Sequence, residues 1–315
     1  MPWTLKWREH TAKRTPHGRR QNGPLPSRSH DRAYGGMVGS FRGLISFRDR
    51  TSLTSMMIKT TAALLFTTFF AVTESRSEEW IQLFNGKDLD GWIPKFAEMP
   101  VGENHHDIFR VEDGMLKVSY DEMDEFDGRF GHLFYHVPFS HYRVRAEFRF
   151  TGDRLKGGPE WAFRNNGLML HSQHPKEMEL GQSFPTSLEM QFWGNDPERG
   201  GSFANRNMGN LFTPGTKVTL DGKESDGGPG SSSSPFLTGL DWVTMEAEVR
   251  GHDEIVHYVN GDEVVRYQNP RLEDGTPLSR GHIAIQAETH NTEFRKIELL
   301  PLPGNESGSA DAEEE

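Results

Sequence analysis

The chain has 315 residues, 34% of them apolar and 26% charged, and no cysteine. That length fits one large or two ordinary domains, and the missing thiols exclude a disulfide scaffold and a Cys-based zinc site. The net charge of −11 is unevenly spread: residues 1–55 hold eleven Lys/Arg against Glu9, Asp31 and Asp49, so the acidic excess belongs to the rest of the chain. An acidic body repels phosphate backbones, and no nucleic-acid partner is expected.

Residues 1–55 are rich in Arg, Pro, Gly and Ser and show no sustained apolar period, which reads as a disordered basic segment. Met56-Met-Ile-Lys59 then leads into an apolar run from Thr60 to Val72, followed by small and polar residues. This is the layout of a secretory signal over 56–77. A signal belongs at the start of a chain, so translation is expected to begin at Met56 or Met57, with residues 1–55 an over-extended gene start. The run is too short for a membrane span, which needs roughly 20 apolar residues. The mature protein is expected in the periplasm, the cell envelope or the extracellular space.

Residues 78–302 read as a single all-β domain. Asn85-Gly86 and Asp90-Gly91 mark a turn-rich opening, and Asp113-Gly114 and Asn260-Gly261 each sit between alternating runs as hairpin turns. The clearest strand is Tyr142–Phe150, with Tyr142, Val144, Ala146, Phe148 and Phe150 on one face and Arg143, Arg145, Glu147 and Arg149 on the other. Ser187-Leu-Glu-Met-Gln-Phe-Trp-Gly194 alternates as strictly: Leu188, Met190 and Phe192 point inward, while Glu189, Gln191 and Trp193 line the opposite face. Further strands cover 167–172, 242–250, 255–267, 281–288 and 292–299. No segment keeps a helical period for three turns, so the expected fold is a two-sheet antiparallel β-sandwich, or jelly roll. The Gly/Ser-rich run 221–235 reads as a flexible insertion, and residues 303–315 as a disordered acidic tail.

A carboxylate, an amide and an indole in a row are an unusual set for a solvated strand face. Trp offers a flat platform, an amide fixes hydroxyls, and Glu moves a proton, so the row points to a sugar. Alternation puts His282, Gln286 and Glu288 on the open face of the 281–288 strand, and Met169 and His171 on that of the 167–172 strand.

The set of motifs from Trp80 to Leu302 resembles the 3-keto-disaccharide hydrolase domain of secreted bacterial proteins. Its landmarks here are Leu83-Phe-Asn-Gly-Lys-Asp-Leu-Asp-Gly-Trp92, Val111-Glu-Asp-Gly114, Glu147-Phe-Arg149, Asn166-Gly-Leu-Met-Leu-His171, Leu188-Glu-Met-Gln191, Val259-Asn-Gly261, Ile285-Gln286 and Phe294-Arg-Lys-Ile297. The resemblance implies a concanavalin-like jelly roll and an oligosaccharide or glycoside substrate. Two motifs depart from the family: Lys296 stands where Asn is usual, and Gln286-Ala-Glu-Thr-His290 replaces Gln-Asp-His-Gly, which displaces the acidic residue and the histidine by one step.

A ketone at sugar carbon 3 acidifies the hydrogen on carbon 2 and makes the glycosidic oxygen a β-leaving group. Cleavage then needs a base, an acid and a group that stabilises the enolate. The candidates for acid and base are Glu189 with His171, and Glu288 with His290. Gln191, Gln286, Trp193 and Asn166 are expected to bind the sugar, with Glu147, Arg149 or Arg295 near the developing charge. No cofactor is expected, and no dedicated metal motif is present; the same carboxylate and imidazole donors leave a divalent cation such as Ca²⁺ an open option. The competing reading is a lectin-like glycan-binding module, which needs the indole and amides but no acid/base pair.

Overall fold

The computed structural model describes residues 79–304. The expected basic segment and signal peptide, and the acidic tail beyond residue 304, lie outside the described residues.

Sixteen strands follow one another: β1 (Ile81–Gln82), β2 (Trp92–Phe96), β3 (Phe109–Glu112), β4 (Met115–Val118), β5 (Gly131–Tyr135), β6 (His141–Arg154), β7 (Asn165–Ser172), β8 (Leu188–Trp193), β9 (Leu211–Phe212), β10 (Thr216–Leu220), β11 (Lys223–Ser225), β12 (Val243–Arg250), β13 (Glu254–Val259), β14 (Asp262–Leu272), β15 (His282–Ala287) and β16 (His290–Pro301). Among the described residues the only helical elements are four short 3-10 turns. The strands form two antiparallel sheets. The larger has the order β11-β10-β14-β13-β12-β6-β16-β4-β3, with β1 beside β16; the smaller has the order β2-β5-β15-β7-β8-β9.

Alternation explains both sheets. In β6 every second residue from Tyr142 to Phe150 is buried, and in β8 Leu188, Met190 and Phe192 are fully buried, so the two strands meet across the sandwich. The contact is direct: the Phe148 and Phe192 rings stack with centroids 4.5 Å apart. Burying one such ring contributes roughly 1.5–3 kcal/mol, and the same core takes in Leu168, Leu170, Ile283, Ile285, Phe294 and Ile297. The hairpins turn where the sequence places them. Asp113 and Gly114 have φ of 54° and 74°, and Asn260 and Gly261 have 52° and 93°, as a two-residue turn between right-twisted strands requires. At the opening turn the Asn85 side-chain oxygen accepts from the backbone N–H groups of Lys87 and Asp88.

The run 221–235 corrects the expectation of a loose insertion. Lys223–Ser225 pairs with β10, and Ser232 and Ser234 are buried. The Asn210 side-chain oxygen accepts from the backbone of Gly230 and Ser232, and Ser232 Oγ donates to Met208 O. Serine hydroxyls and glycine turns here satisfy backbone groups of the neighbouring loop.

Candidate active site

The outward face of the smaller sheet carries the candidate site. Its register sets Lys95 beside His132, His132 beside Gln286, and Gly167 beside Gln191. These residues come from five strands, β2, β5, β15, β7 and β8, and form one row. Glu189 joins it because Gly167 has no side chain: a Cβ there would lie 2.5 Å from Glu189 Oε1 and 2.9 Å from Gln286 Oε1. Glu288 follows β15 directly, in a tight turn where Thr289 has φ of 80° and its N–H donates to the Tyr120 hydroxyl.

These groups are buried, yet several of their polar atoms have no protein partner. Glu189 Oε1, Glu288 Oε2, both amide atoms of Gln286 and both ring nitrogens of His132 are orphaned. Gln286 and His132 are fully buried, with Glu288 and Glu189 only 3% and 7% exposed. Native proteins rarely bury unpaired polar groups, and several on one face mark a place made for something else to bind. Burial pushes the Glu189 carboxyl up to about 8, and the nearby Gln286 amide offsets part of that rise without closing a well-aligned hydrogen bond. Burial and the charge of Glu189 together push Glu288 well above the usual carboxylate range. Two close buried carboxyls resist ionising together. His132 is pushed down to about 3, by burial first and then by the Lys95 charge, so it is neutral. Lys95 Nζ donates to the carbonyls of Phe96, Met99 and Leu180.

The loop from 173 to 187 runs back over this face. Met178 packs on Phe134, Met169 and Ala284, the apolar row next to the polar one. Leu180 O accepts from the Glu98 N–H at 2.7 Å, which fixes the loop to the far edge of the sheet.

Of the residues named from sequence, Glu189, Glu288 and Gln286 come together here. Gln191 shares the row, but its amide nitrogen already donates to Asn165 Oδ1 and Asn166 O. The other expectations need correction. His171 does not join the row: β7 carries an extra residue opposite β15, with His171 at φ 47°, so the side chain turns to the interior. There its Nε2 bonds to Gly251 O and its ring meets Tyr142 edge-on, and burial lowers its pKa to about 4. Asn166 also points inward, donating to Gln286 O and Thr292 Oγ1 and accepting from the Gly167 N–H. Its neighbour Asn165 takes the outward position, as alternation with inward Asn166, Leu168 and Leu170 requires.

Trp193 lies on the right face but is only 8% exposed. Arg206 sits over its ring at 5.2 Å and Phe212 meets it edge-on, so the expected sugar platform is already covered. Glu147, Arg149 and Arg295 are on the outer face of the other sheet. Arg295 pairs with Glu147, Arg149 with Glu293, and both guanidinium groups stack on Trp242. His290 opens β16, between the rings of Phe150 and Phe163, its pKa lowered to about 3 by burial and by Arg164 and Arg154.

His132 and Lys95 were missed. Gly131-His-Leu-Phe-Tyr135 is a short strand whose alternation does place His132 and Phe134 on one face, but nothing in it indicates which sheet it joins. No cluster of three or more His, Asp or Glu side chains among the described residues is placed to hold a metal ion. An open depression of about 440 Å³ lies elsewhere, at the β3 edge around His106, Asp107 and Arg110, and none of the orphaned buried atoms belongs to its lining residues.

Fold and face together define a two-sheet antiparallel jelly roll with a row of buried, unpartnered polar groups on the outward face of its smaller sheet. The chain belongs to the 3-keto-alpha-glucoside-1,2-lyase-like domain family, whose model matches residues 79–300. Comparison with curated proteins finds no match. Among solved structures the chain is similar to a protein of Parabacteroides distasonis ATCC 8503 assigned provisionally as a glycosyl hydrolase. The two are 18% identical with a TM-score of 0.45, over 73% of this chain and 97% of that one. It is also similar to a Bacillus subtilis protein of unknown function with a galectin-like fold (14% identity, TM-score 0.42, 68% and 90% covered). A third is the carbohydrate-binding module CBM66 from Bacillus subtilis (11% identity, TM-score 0.35, 56% and 89% covered).

Proposed function

We propose that this protein cleaves the C1–O bond of a 3-keto-glycoside by elimination, followed by hydration, with Glu189 and Glu288 sharing one working proton. The single observation behind this reading is the row of buried polar atoms without protein partners: the two carboxyls, the Gln286 amide and the His132 ring.

The carboxylate member of the pair takes the proton from C2, which the C3 ketone acidifies. The C2–H electron pair becomes an enolate with its charge on the C3 oxygen. His132, neutral and backed by the Lys95 charge, donates an N–H to that oxygen. As the enolate collapses, C3=O re-forms, a C1=C2 double bond appears, and the C1–O pair leaves with the aglycone oxygen. The protonated carboxyl supplies that oxygen with its proton. The pair ends with one proton, as it began, but on the other carboxyl. Water added across C1=C2 then releases the free 3-keto-sugar. With Glu189 raised to about 8 and Glu288 raised as well, the pair reaches its one-proton state as pH rises toward 8, so turnover should climb over that range.

Because the row is shielded, turnover requires the 173–187 loop to lift from Glu98 and Lys95. Export through the segment 56–77 would place the enzyme where extracellular glycosides are met.

The test is incubation of the protein with a 3-keto-glucoside and its unoxidised parent, with mass detection of products. Release of the alcohol and a 2-hydroxy-glycal from the keto compound alone is expected. Binding of either sugar without any product would instead make the protein a glycan-binding module.

A further inference from the structure

Beside His132 stands a group of four aromatic rings, three of which neither core uses. Phe130 directly precedes β5, two residues before His132, and its ring meets Phe126 at 5.0 Å, Phe184 at 5.4 Å and Trp161 at 5.5 Å. Phe184 in turn meets the His132 ring edge-on at 6.0 Å. The four rings come from three loops and β5's leading edge, and all are half-buried. Phe126 touches the main core; Phe130, Trp161 and Phe184 belong to neither hydrophobic cluster. Three large rings held together on the functional face, away from the core, are costly to keep wet without a ligand.

Their chemistry narrows that ligand. Sugar platforms favour Trp and Tyr, whose polar edges reach hydroxyls, whereas three of these four rings are Phe and carry no hydrogen-bonding atom. Around Phe130 the planes tilt by 30° to 40°, which makes a shallow cup rather than a flat shelf. Following β15 past Ala287, which pairs with Gly131, brings the chain to Glu288, so the cup adjoins one of the two carboxyls that share the working proton. We infer that the cup of Phe130, Trp161 and Phe184 receives the aglycone, and that the preferred substrates are 3-keto-glycosides of aryl or aryl-alkyl alcohols rather than disaccharides. This inference rests on the lyase reading for the reaction, but not for the binding.

The experiment compares the ethyl and 2-phenylethyl 3-keto-glucosides, whose leaving groups have similar acidity and differ in the ring. The full chain, W161A and F184A are assayed, with Phe184→Leu as a variant that keeps an apolar side chain, and folding is checked by thermal melting. Binding of the inert 2-phenylethyl and ethyl glucosides is measured by calorimetry in parallel. A ring well seated among aromatic neighbours is expected to lower KM and Kd about tenfold in the parent protein. In folded W161A and F184A that ratio should fall toward one, with F184L in between. Turnover of both substrates with equal KM in every variant overturns the cup and leaves the lyase reading intact. No turnover, but a binding preference that W161A abolishes, sinks the lyase reading and supports the cup. No turnover and no binding overturns both.

Discussion

Gly167 and Glu189 occupy one another's space: the carboxyl of Glu189 lies where a side chain on residue 167 would be, 2.5 Å from the position of its Cβ. Gln286 comes over the same backbone from the other side, at 2.9 Å. The absent side chain is therefore what lets β8 and β15 act together across β7. Gly167→Ala should destabilise the fold by about 1–3 kcal/mol through overpacking and should abolish turnover in whatever folds. Melting curves and product formation measure the two effects; an active G167A of unchanged melting temperature would show that the two side chains need not meet.

The buried carboxyls tie stability to pH with a definite sign. Both hold their protons more tightly in the folded chain than in the unfolded one, where a carboxyl titrates near ~4.3. Below that pH both states are protonated and folding carries no penalty. Between there and about 8, the position of Glu189, the unfolded chain has released a proton that the folded one keeps, so stability falls as pH rises. Glu189→Gln removes this drain. Its melting temperature should match the parent at pH 4 and exceed it increasingly up to pH 8, while turnover is lost. A difference that stays constant with pH would mean that Glu189 ionises normally.

The His132 side chain makes no hydrogen bond in the protein, so its removal orphans no partner and its fold cost is the cavity left, while the reaction loses its donor. His132→Ala should lower kcat by about 10²- to 10³-fold, the usual effect of losing one donor to a developing oxyanion. His132→Gln, which restores an N–H, should recover part of the loss. Parent-like kcat in H132A would assign the enolate to another donor.

His171 belongs to the interior, where its Nε2 bonds to Gly251 O. His171→Ala should cost about 1–3 kcal/mol of stability, by orphaning a buried carbonyl, and leave kcat/KM of the folded fraction near the parent value. Arg149→Ala on the far sheet should behave likewise but with a smaller stability loss, since its ion pair with Glu293 is partly exposed. A large kcat effect from either would relocate the chemistry.

The 173–187 loop is held at the far sheet edge by the Glu98 N–H and Lys95 Nζ, both donating to Leu180 O. Amide exchange at Glu98 should be faster than in β5 or β15 and should slow when a bound glycoside closes the loop. Equal protection with and without glycoside would argue that the loop does not open for entry.

Strand alternation was legible residue by residue. The inward sets of β6 and β8, the two-residue hairpins at 113–114 and 260–261, and the outward position of Glu189 all follow from period-two patterns and turn chemistry, which are local. The motif order from Trp80 to Leu302 carried the family, and alternation along 281–288 put Gln286 and Glu288 on the open face. What local pattern cannot convey is which outward face belongs to which sheet. Arg149 and Glu189 alternate equally well, yet one lies on the solvated side of the large sheet and the other in the buried row, because strand order is set by long-range pairing. A single extra residue in β7 sent His171 inward, since one step of register exchanges the faces beyond it, whereas Asn166 lies inward by plain alternation with Leu168 and Leu170. His132 and Lys95 entered only through the pairing of β2, β5 and β15, where strands distant in the chain bring an imidazole beside Gln286 and an ammonium beside that imidazole.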